Sequence, residues 1–237
     1  MNKGKEAALK EKIEAKLERM IPAYARIPLL FLLIINCMAY YGSRLFTMDA
    51  VRRNLSLPLD GRIPFCPAFI VFYILAYGQW VVGYILIARE SRERCYRVLT
   101  GEMIAKLMCM ALFIALPTRI DRPEVEGRGF FEALVRIIYA TDAPINLFPS
   151  IHCLESWICF RGAVGMRRVP RWYAPSMLVV TLAVFASTVL VKQHVAVDVP
   201  AAVLVGELGL FLSRKLHAGR WLERMDAARV AKRGGRR

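Results

Sequence analysis

The sequence predicts an all-α, polytopic membrane protein, a bundle of six transmembrane helices. Two observations lead to this fold class. Hydrophobic residues make up 57% of the 237 residues, and the mean hydropathy is +0.39. The apolar residues also fall into six separated stretches, each near the ~20 residues that an α-helix needs to cross ~30 Å of hydrocarbon. We place the predicted spans at residues 27–43, 64–88, 101–118, 146–165, 173–191 and 195–213.

Charged segments flank this six-span domain, which covers residues 27–213. Within the N-terminal segment 1–26, residues 4–20 alternate Glu and Lys with Ala and Leu at helical spacing, so we expect this segment to be a basic helix on the cytoplasmic side. Residues 214–237 form a basic cytoplasmic tail. Between the third and fourth spans, apolar residues recur at helical spacing from Phe130 to Ile138. This pattern predicts a helix that either lies in the outer membrane interface or packs against the bundle.

The net charge of +15 is explained better by membrane topology than by nucleic-acid binding. With the N-terminus in the cytoplasm, 24 of the Lys and Arg residues lie on the inner side and 9 on the outer side. This is the positive-inside bias of membrane proteins. We therefore expect an integral protein of the plasma (cytoplasmic) membrane with both termini in the cytoplasm. Its partners are the bilayer and a lipid, with anionic headgroups attracted to the basic ends, and no nucleic acid.

Two of the three histidines lie in short polar motifs at the ends of predicted spans. His152 follows Pro149 and Ser150 at the start of the fourth span, where the free N–H groups of a helix N-terminus favour a phosphate group. His194 lies four residues before Asp198 at the start of the sixth span, so the two share one helix face. Titratable groups are costly at such positions in a membrane, and they indicate a functional site.

The alternation of the spans places the motifs together. An Arg-Pro pair at Arg122 follows the third span, so Arg122, His152 and His194 all fall on the outer, extracytoplasmic side. Asp198 can accept the Nδ1 proton of His194 and leave Nε2 free to attack a substrate. His152 is then the acid that protonates the leaving oxygen, while Arg122 and Lys192 neutralise phosphate oxygens.

Other interpretations of the His194–Asp198 pair stay open at this point. The pair can be a structural tie, or it can supply two ligands of a metal whose third ligand would be Glu155 or Cys153. Glu155 also shares a helix face with His152 and could tune the pKa of that imidazole.

Further charged residues lie inside predicted spans. Glu102 and Lys106 are four residues apart, and we expect them to form a structural pair. Glu207 lies deep in the sixth span, where we expect it to have a polar partner within the bundle.

Three motifs together resemble those of the type-2 phosphatidic acid phosphatase superfamily. They are Arg122-Pro123, Pro149-Ser150-Ile151-His152 and, about forty residues further on, His194-x-x-x-Asp198. That superfamily includes membrane lipid phosphatases and, more distantly, sphingomyelin and inositol phosphorylceramide synthases. The resemblance covers residues 27–213 and leaves out the two basic ends.

The resemblance implies a role for each motif residue. His194 would form a phosphohistidine intermediate, Asp198 would support it, and His152 would be the general acid. Ser150 and Arg122 would bind the phosphate group. The family needs no metal, so the resemblance implies no metal ion and no other cofactor.

The sequence departs from the family pattern at three positions. Ala115 stands where the first motif has Lys, Ile151 where the second usually has Gly, and Thr188 where the third usually has Arg. Two phosphate-binding cations are therefore missing from their usual places, and Lys192 and Arg119 are the nearby residues that could replace them.

From these observations we expect a metal-independent hydrolase of a lipid phosphate monoester or diphosphate. Two alternatives remain at this stage. One is a lipid phosphotransferase that passes a phospho-headgroup to a lipid alcohol, as in the inositol phosphorylceramide synthases. The other is a non-catalytic membrane protein that binds lipid phosphates.

Overall fold

The computed structural model describes residues 3–234, and within them the chain is mostly helical. The predicted all-α class is confirmed. The helices are α1 (Lys3–Met20), α2 (Ala23–Cys37), α3 (Ser43–Phe46), α4 (Pro58–Arg62), α5 (Ile70–Glu90), α6 (Arg92–Ala115), α7 (Phe130–Thr141), α8 (Ile151–Ala163), α9 (Tyr173–Leu190), α10 (Asp198–Lys215) and α11 (Arg220–Gly234). A π-helical turn, Met38–Gly42, joins α2 to α3, and a 3₁₀ turn, Pro67–Phe69, leads into α5.

A very small parallel sheet lies among the loops. Its two strands are β1 (Arg53–Asn54) and β2 (Thr118–Arg119), and Thr118 pairs with Arg53. The sheet ties the loop after α3 to the loop after α6.

Four helical segments of the described chain are long and apolar enough to cross a membrane. They are Ala23–Phe46, Pro67–Glu90, Arg92–Ala115 and Tyr173–Leu190. These segments coincide with the first, second, third and fifth predicted spans. Their surfaces carry many exposed apolar side chains, as the lipid-facing side of a span would. Examples are Leu30, Leu33, Val71, Leu75, Val81, Val82, Val179 and Leu182.

The predicted fourth and sixth spans differ from the helices found there. α8 begins only at Ile151, because Ser150 caps the helix by accepting a hydrogen bond from the Cys153 N–H (3.3 Å). Its 13 residues reach about 20 Å, which is less than the hydrocarbon thickness. α10 is longer, with 18 residues, but it carries charged residues at both ends and in its middle. Four of the six predicted spans are thus supported by length and composition.

The helices alternate in direction around a core centred on α6. Buried side chains of α6 pack against α2 and α11 in one cluster and against α8 and α10 in another. The approach of α6 to α10 is close enough that a Cβ on Gly209 would clash with the carbonyl oxygen of Gly101. The closely packed helices α6, α8 and α10 consequently form the centre of the bundle, and the three motifs lie at their ends.

The predicted helix between the third and fourth spans is α7. Val135 is fully buried and packs with Ile70, Tyr73 and Val191, so one face of α7 lies against the bundle. The opposite face leaves Phe130 largely exposed. α7 covers the ends of α5 and α9 and brings its last residues beside the motifs.

Candidate functional site

The three sequence motifs meet at one end of the bundle, which we call the histidine end. It is formed by the C-terminal end of α6 and the N-terminal ends of α8 and α10. Backbone hydrogen bonds join the segments there. The Asn146 N–H donates to the Thr118 carbonyl (3.3 Å), and the Ser150 N–H donates to the Asp198 carbonyl (3.4 Å).

His194 and Asp198 are in direct contact at this end. The Nδ1 atom of His194 lies 3.0 Å from Oδ2 of Asp198, which also accepts the backbone N–H of Val195 at 3.1 Å. Asp198 is fully buried and His194 is 7% exposed. Since Nδ1 faces the carboxylate, Nε2 is the ring nitrogen left for chemistry. The turn before the pair is held by Thr188, whose carbonyl accepts the N–H groups of Gln193 and His194 (both 3.0 Å).

His152 faces His194 across a short gap. The two ring centroids are 6.3 Å apart, with the ring planes tilted by 55°. The His152 ring stacks on Tyr73, with centroids 4.1 Å apart, and is flanked by Tyr77 and Trp80. His152 Nδ1 is 3.4 Å from the Tyr73 hydroxyl, and Nε2 is 3.3 Å from the Tyr77 hydroxyl.

Both histidines line a cavity of about 310 Å³, which we call the tyrosine cavity. Its other walls are aromatic and polar side chains from α2, α5, α7 and α8 and the loops that join them. They include Asn36, Tyr40, Tyr41, Tyr77, Trp80, Asp142, Asn146 and Glu155. A cavity that combines aromatic walls with convergent polar groups is typical of a ligand site.

Asp142, at the end of α7, is a site residue that the sequence did not reveal. Its carboxylate accepts hydrogen bonds from the Tyr73 hydroxyl (3.0 Å) and from the Tyr40 hydroxyl. Its backbone carbonyl accepts from the guanidinium of Arg122 (2.7 Å). One residue thereby connects Arg122 with the tyrosine beside His152.

Arg122 lies in the centre of the polar network. Its guanidinium donates to the carbonyls of Asp142 and Tyr139 and to the side-chain oxygen of Gln193, and it packs over the Tyr139 ring at 4.6 Å. Burial lowers the pKa of Arg122 below the usual arginine value, with Asp142 acting against this shift. A guanidinium nevertheless stays cationic at neutral pH.

Gln193 was also not identified from sequence. It is 1% exposed, and within residues 3–234 its side-chain amide nitrogen has no hydrogen-bond acceptor. The Nε atom of Arg122 is likewise buried without an acceptor in that part of the chain. Buried donors are normally paired, so two unused donors next to His194 are compatible with an anion bound there.

A second cavity of about 430 Å³, which we call the loop cavity, is lined by His194, Arg122, Lys192 and Asp60 together with neighbouring loop residues. Lys192 adopts a left-handed backbone conformation (φ 54°), and its ammonium donates to the carbonyls of Asp60 (2.9 Å) and Ile63 (2.6 Å). An ammonium has three donors, so one remains for a ligand.

Ser150 and Arg119 differ in where the structure places them. Ser150 is fully buried at the N-terminus of α8, beside Asp198, and lines neither cavity. Arg119 lies on β2 next to the buried Thr118, and neighbouring strand residues point to opposite faces. Its guanidinium is 55% exposed and pairs with Asp121 at 3.3 Å. Arg119 lines neither cavity, so the structure does not bring it together with the other predicted site residues.

The remaining charged residues mostly satisfy one another. Lys106 pairs with Glu102 at 3.0 Å, which confirms the expected i,i+4 pair, and with Glu155 at 2.6 Å. The main partner of Glu155 is therefore Lys106, although Glu155 also lines the tyrosine cavity. Glu207 accepts from the Trp157 indole (2.9 Å) and pairs with Arg161.

The structure also bears on the alternative of a metal site. In the described part of the chain, no three His, Cys, Asp or Glu side chains converge as metal ligands would. Cys153 contacts the Thr188 hydroxyl at 3.6 Å, and all six cysteines are free thiols.

Comparison with protein-family models, with curated proteins and with solved structures finds no match for this chain. Function is therefore inferred from the motif residues and their geometry.

Proposed function

We propose that this chain is an integral membrane enzyme that hydrolyses a lipid phosphate monoester or diphosphate. In this proposal it belongs to the type-2 phosphatidic acid phosphatase superfamily, and His194 carries the phosphoryl group. The observation that carries the proposal is the buried His194–Asp198 pair facing His152 at 6.3 Å between ring centroids. A structural tie between His194 and Asp198 alone would not require a second imidazole opposite.

The first chemical step forms a covalent intermediate. Nε2 of His194 attacks the phosphorus, and the bond from phosphorus to the lipid oxygen breaks as His152 gives its proton to that oxygen. Asp198 holds the Nδ1 proton and stabilises the positive charge that develops on the His194 ring. The leaving group, which is the lipid alcohol of a monoester or the lipid monophosphate of a diphosphate, then departs through the tyrosine cavity.

The second step returns the enzyme to its starting state. Water attacks the phosphorus of phosphohistidine, His152 takes a proton from that water, and the phosphorus–nitrogen bond breaks to release phosphate. Arg122, Lys192 and the free N–H groups at the start of α8 oppose the charge on the phosphate oxygens in both steps.

Membrane placement is part of the proposal. The four apolar segments would cross the bilayer, and α8 and α10 would complete a six-span bundle around α6. Most of the basic residues lie in the segments at the opposite end, so by the positive-inside rule both termini would lie in the cytoplasm and the histidine end on the extracytoplasmic face. The lipid chains of the substrate would remain in the bilayer beside α2 and α5.

The test is phosphate release by the purified protein in detergent with a chelator present. Phosphatidate, phosphatidylglycerol phosphate and a prenyl diphosphate are the substrates. His194→Asn should lower the rate by at least about a thousandfold, because it removes the nucleophile. The matched control is His217→Asn, since His217 is exposed near the opposite end and Asn tolerates its left-handed backbone (φ 48°).

The outcomes separate the candidate functions. Release that requires His194 but not His217 supports hydrolysis through this site. Release only when a lipid alcohol is added, with the phospho-headgroup found on that alcohol, would replace hydrolysis by transfer. Binding of the lipids without either reaction would leave a non-catalytic lipid-binding protein.

A further inference from the structure

The end of the bundle opposite the histidines contains a concave site that the proposed enzyme chemistry does not use. We propose that this site binds a phosphate ester anion, the headgroup of an anionic phospholipid. The concavity has a volume of about 210 Å³, and we call it the arginine pocket. It is lined by Arg94, Arg97, Val98, Arg161, Val164, Leu210 and Arg214.

Arg94 forms a rigid part of the pocket. Its guanidinium donates to the carbonyls of Gly162 (2.9 Å), Val164 (2.7 Å) and Gly165 (2.9 Å). These carbonyls lie at the C-terminal end of α8, where backbone acceptors lack helical partners. Gly165 turns the chain there with a positive φ of 73°. The positive charge of Arg94 is thus fixed in place before any ligand arrives, which lowers the entropy cost of binding.

The other three arginines leave the pocket with excess positive charge. Arg161 pairs with Glu207 at 2.5 Å, and Arg97 pairs with Glu93 at 3.6 Å. Arg214 is exposed and has no ion pair or side-chain hydrogen bond within the described residues. Glu90, at the end of α5, also interacts with the charge of Arg94. Four guanidinium groups thus face three carboxylates, which leaves one positive charge uncompensated. Planar guanidinium groups match the geometry of phosphate oxygens better than a point charge does.

The surroundings of the pocket favour a lipid as the carrier of the phosphate. Val98, Val164 and Leu210 give the pocket an apolar wall. Next to it, the outer face of α10 exposes Leu204 (68%) and Phe211 (48%), along which an acyl chain can lie. Anionic headgroups are concentrated at a membrane surface and attract nearby Lys and Arg.

The positive-inside rule alone does not explain why four arginines line one pocket. The positive-inside rule requires only that basic residues lie near one membrane surface. Here the arginines come from α6, α8 and α10 and converge on one concavity, with one guanidinium held by three backbone carbonyls. The inference is independent of the proposed hydrolysis, because it concerns binding at the other end of the bundle.

The test measures binding to the full chain in detergent or in nanodiscs of neutral lipid. The probes are short-chain phosphatidylglycerol, glycerol phosphate and inorganic phosphate. The test variant is the double substitution Arg97→Gln with Arg214→Gln, since neither residue supports the backbone. The matched control is Arg171→Gln with Arg220→Gln, which removes the same charge from exposed positions outside the pocket.

We expect the pocket variant to weaken phosphatidylglycerol binding about tenfold and the control variant to leave it nearly unchanged, because charge-assisted hydrogen bonds are lost only in the former. The same loss for glycerol phosphate or inorganic phosphate would support the phosphate site and assign a soluble source to its ligand. Equal weakening in both variants would overturn the proposal in favour of diffuse surface charge. Unchanged binding in the pocket variant would also overturn it. Because the readout is binding, it stands apart from any result on hydrolysis.

Discussion

The histidine end and the arginine end of this bundle are built from the same three helices, yet their polar groups are organised in opposite ways. At the histidine end, Asp198, Gln193 and His194 are all buried. Asp198 bonds to His194, and Gln193 accepts a hydrogen bond from Arg122. At the arginine end, Arg97 and Arg214 are partly or largely exposed. Buried polar networks hold side chains in one geometry, whereas exposed charges are screened and mobile. The first arrangement suits chemistry and the second suits attraction of a charged partner.

The largest expected effect is a loss of hydrolysis when the His194–Asp198 contact at the histidine end is disrupted. Asp198→Asn should reduce hydrolysis by roughly a thousandfold, because an amide can no longer fix the tautomer of His194 or stabilise its positive charge. The protein should still fold, since Asn can keep a hydrogen bond to the Val195 N–H. Rates from steady-state assays, beside circular dichroism of the variant, test this. Activity within a few fold of the original protein would show that the His194–Asp198 contact is only structural.

The second largest effect concerns stability. It involves the buried ion-pair cluster of Glu102, Lys106 and Glu155, which lies between the two ends. Lys106→Met leaves Glu102 and Glu155 without their cation in the core, and it should lower the free energy of unfolding by about 3–5 kcal/mol. Lys215→Met, at an exposed position on α10, is the matched control and should change it by less than about 1 kcal/mol. Denaturant unfolding in detergent measures both variants. A similar loss of unfolding free energy in the two variants would mean that the buried ion pairs of Lys106 do not stabilise the bundle more than an exposed lysine does.

A smaller effect tests whether the histidine end depends on its aromatic support. Tyr73→Phe removes the hydroxyl between Asp142 and His152 while keeping the stacked ring, and it should lower kcat about tenfold with KM little changed. Tyr173→Phe is the control, because within the described residues that buried hydroxyl has no hydrogen-bond partner. A shift of the acidic or basic limb of the pH–rate profile in Tyr73→Phe only would mark Tyr73 as a positioning residue. An unchanged profile and rate would leave it a packing residue.

The smallest expected effect is a difference in salt dependence between lipid binding at the arginine end and kcat at the histidine end. Raising the ionic strength from about 0.1 to about 1 M shortens the screening length from about 10 to about 3 Å. Phosphatidylglycerol binding at the exposed arginine pocket should therefore weaken several fold, whereas kcat at the buried histidine end should change by less than about twofold. Parallel binding and rate titrations with salt measure the two. A kcat that falls as steeply as the binding would contradict the difference in burial between the ends.

Much of the candidate site was predictable because membrane topology restricts it strongly. The predicted order of the spans placed Arg122, His152 and His194 at one end, where the structure also brings them together, and the spacing of His194 and Asp198 placed both on one helix face. Asp142 and Gln193 were not predictable in this way. Each lies in a loop, and loop side chains acquire partners only when distant segments pack around them. Arg119 was misplaced for the same reason, since the pairing of β2 with β1 turns it outward.

The sequence by itself determined the helical class, four apolar segments that can cross a membrane, and the end of the bundle at which the motifs meet. These features depend on composition and local spacing, which every helix carries in its own residues. Only the tertiary structure decided where α8 begins, which carboxylate supports the tyrosine beside His152, and that four arginines share one pocket. Those features depend on contacts between residues far apart in the chain. No local pattern encodes such contacts, because they arise only when the helices pack together.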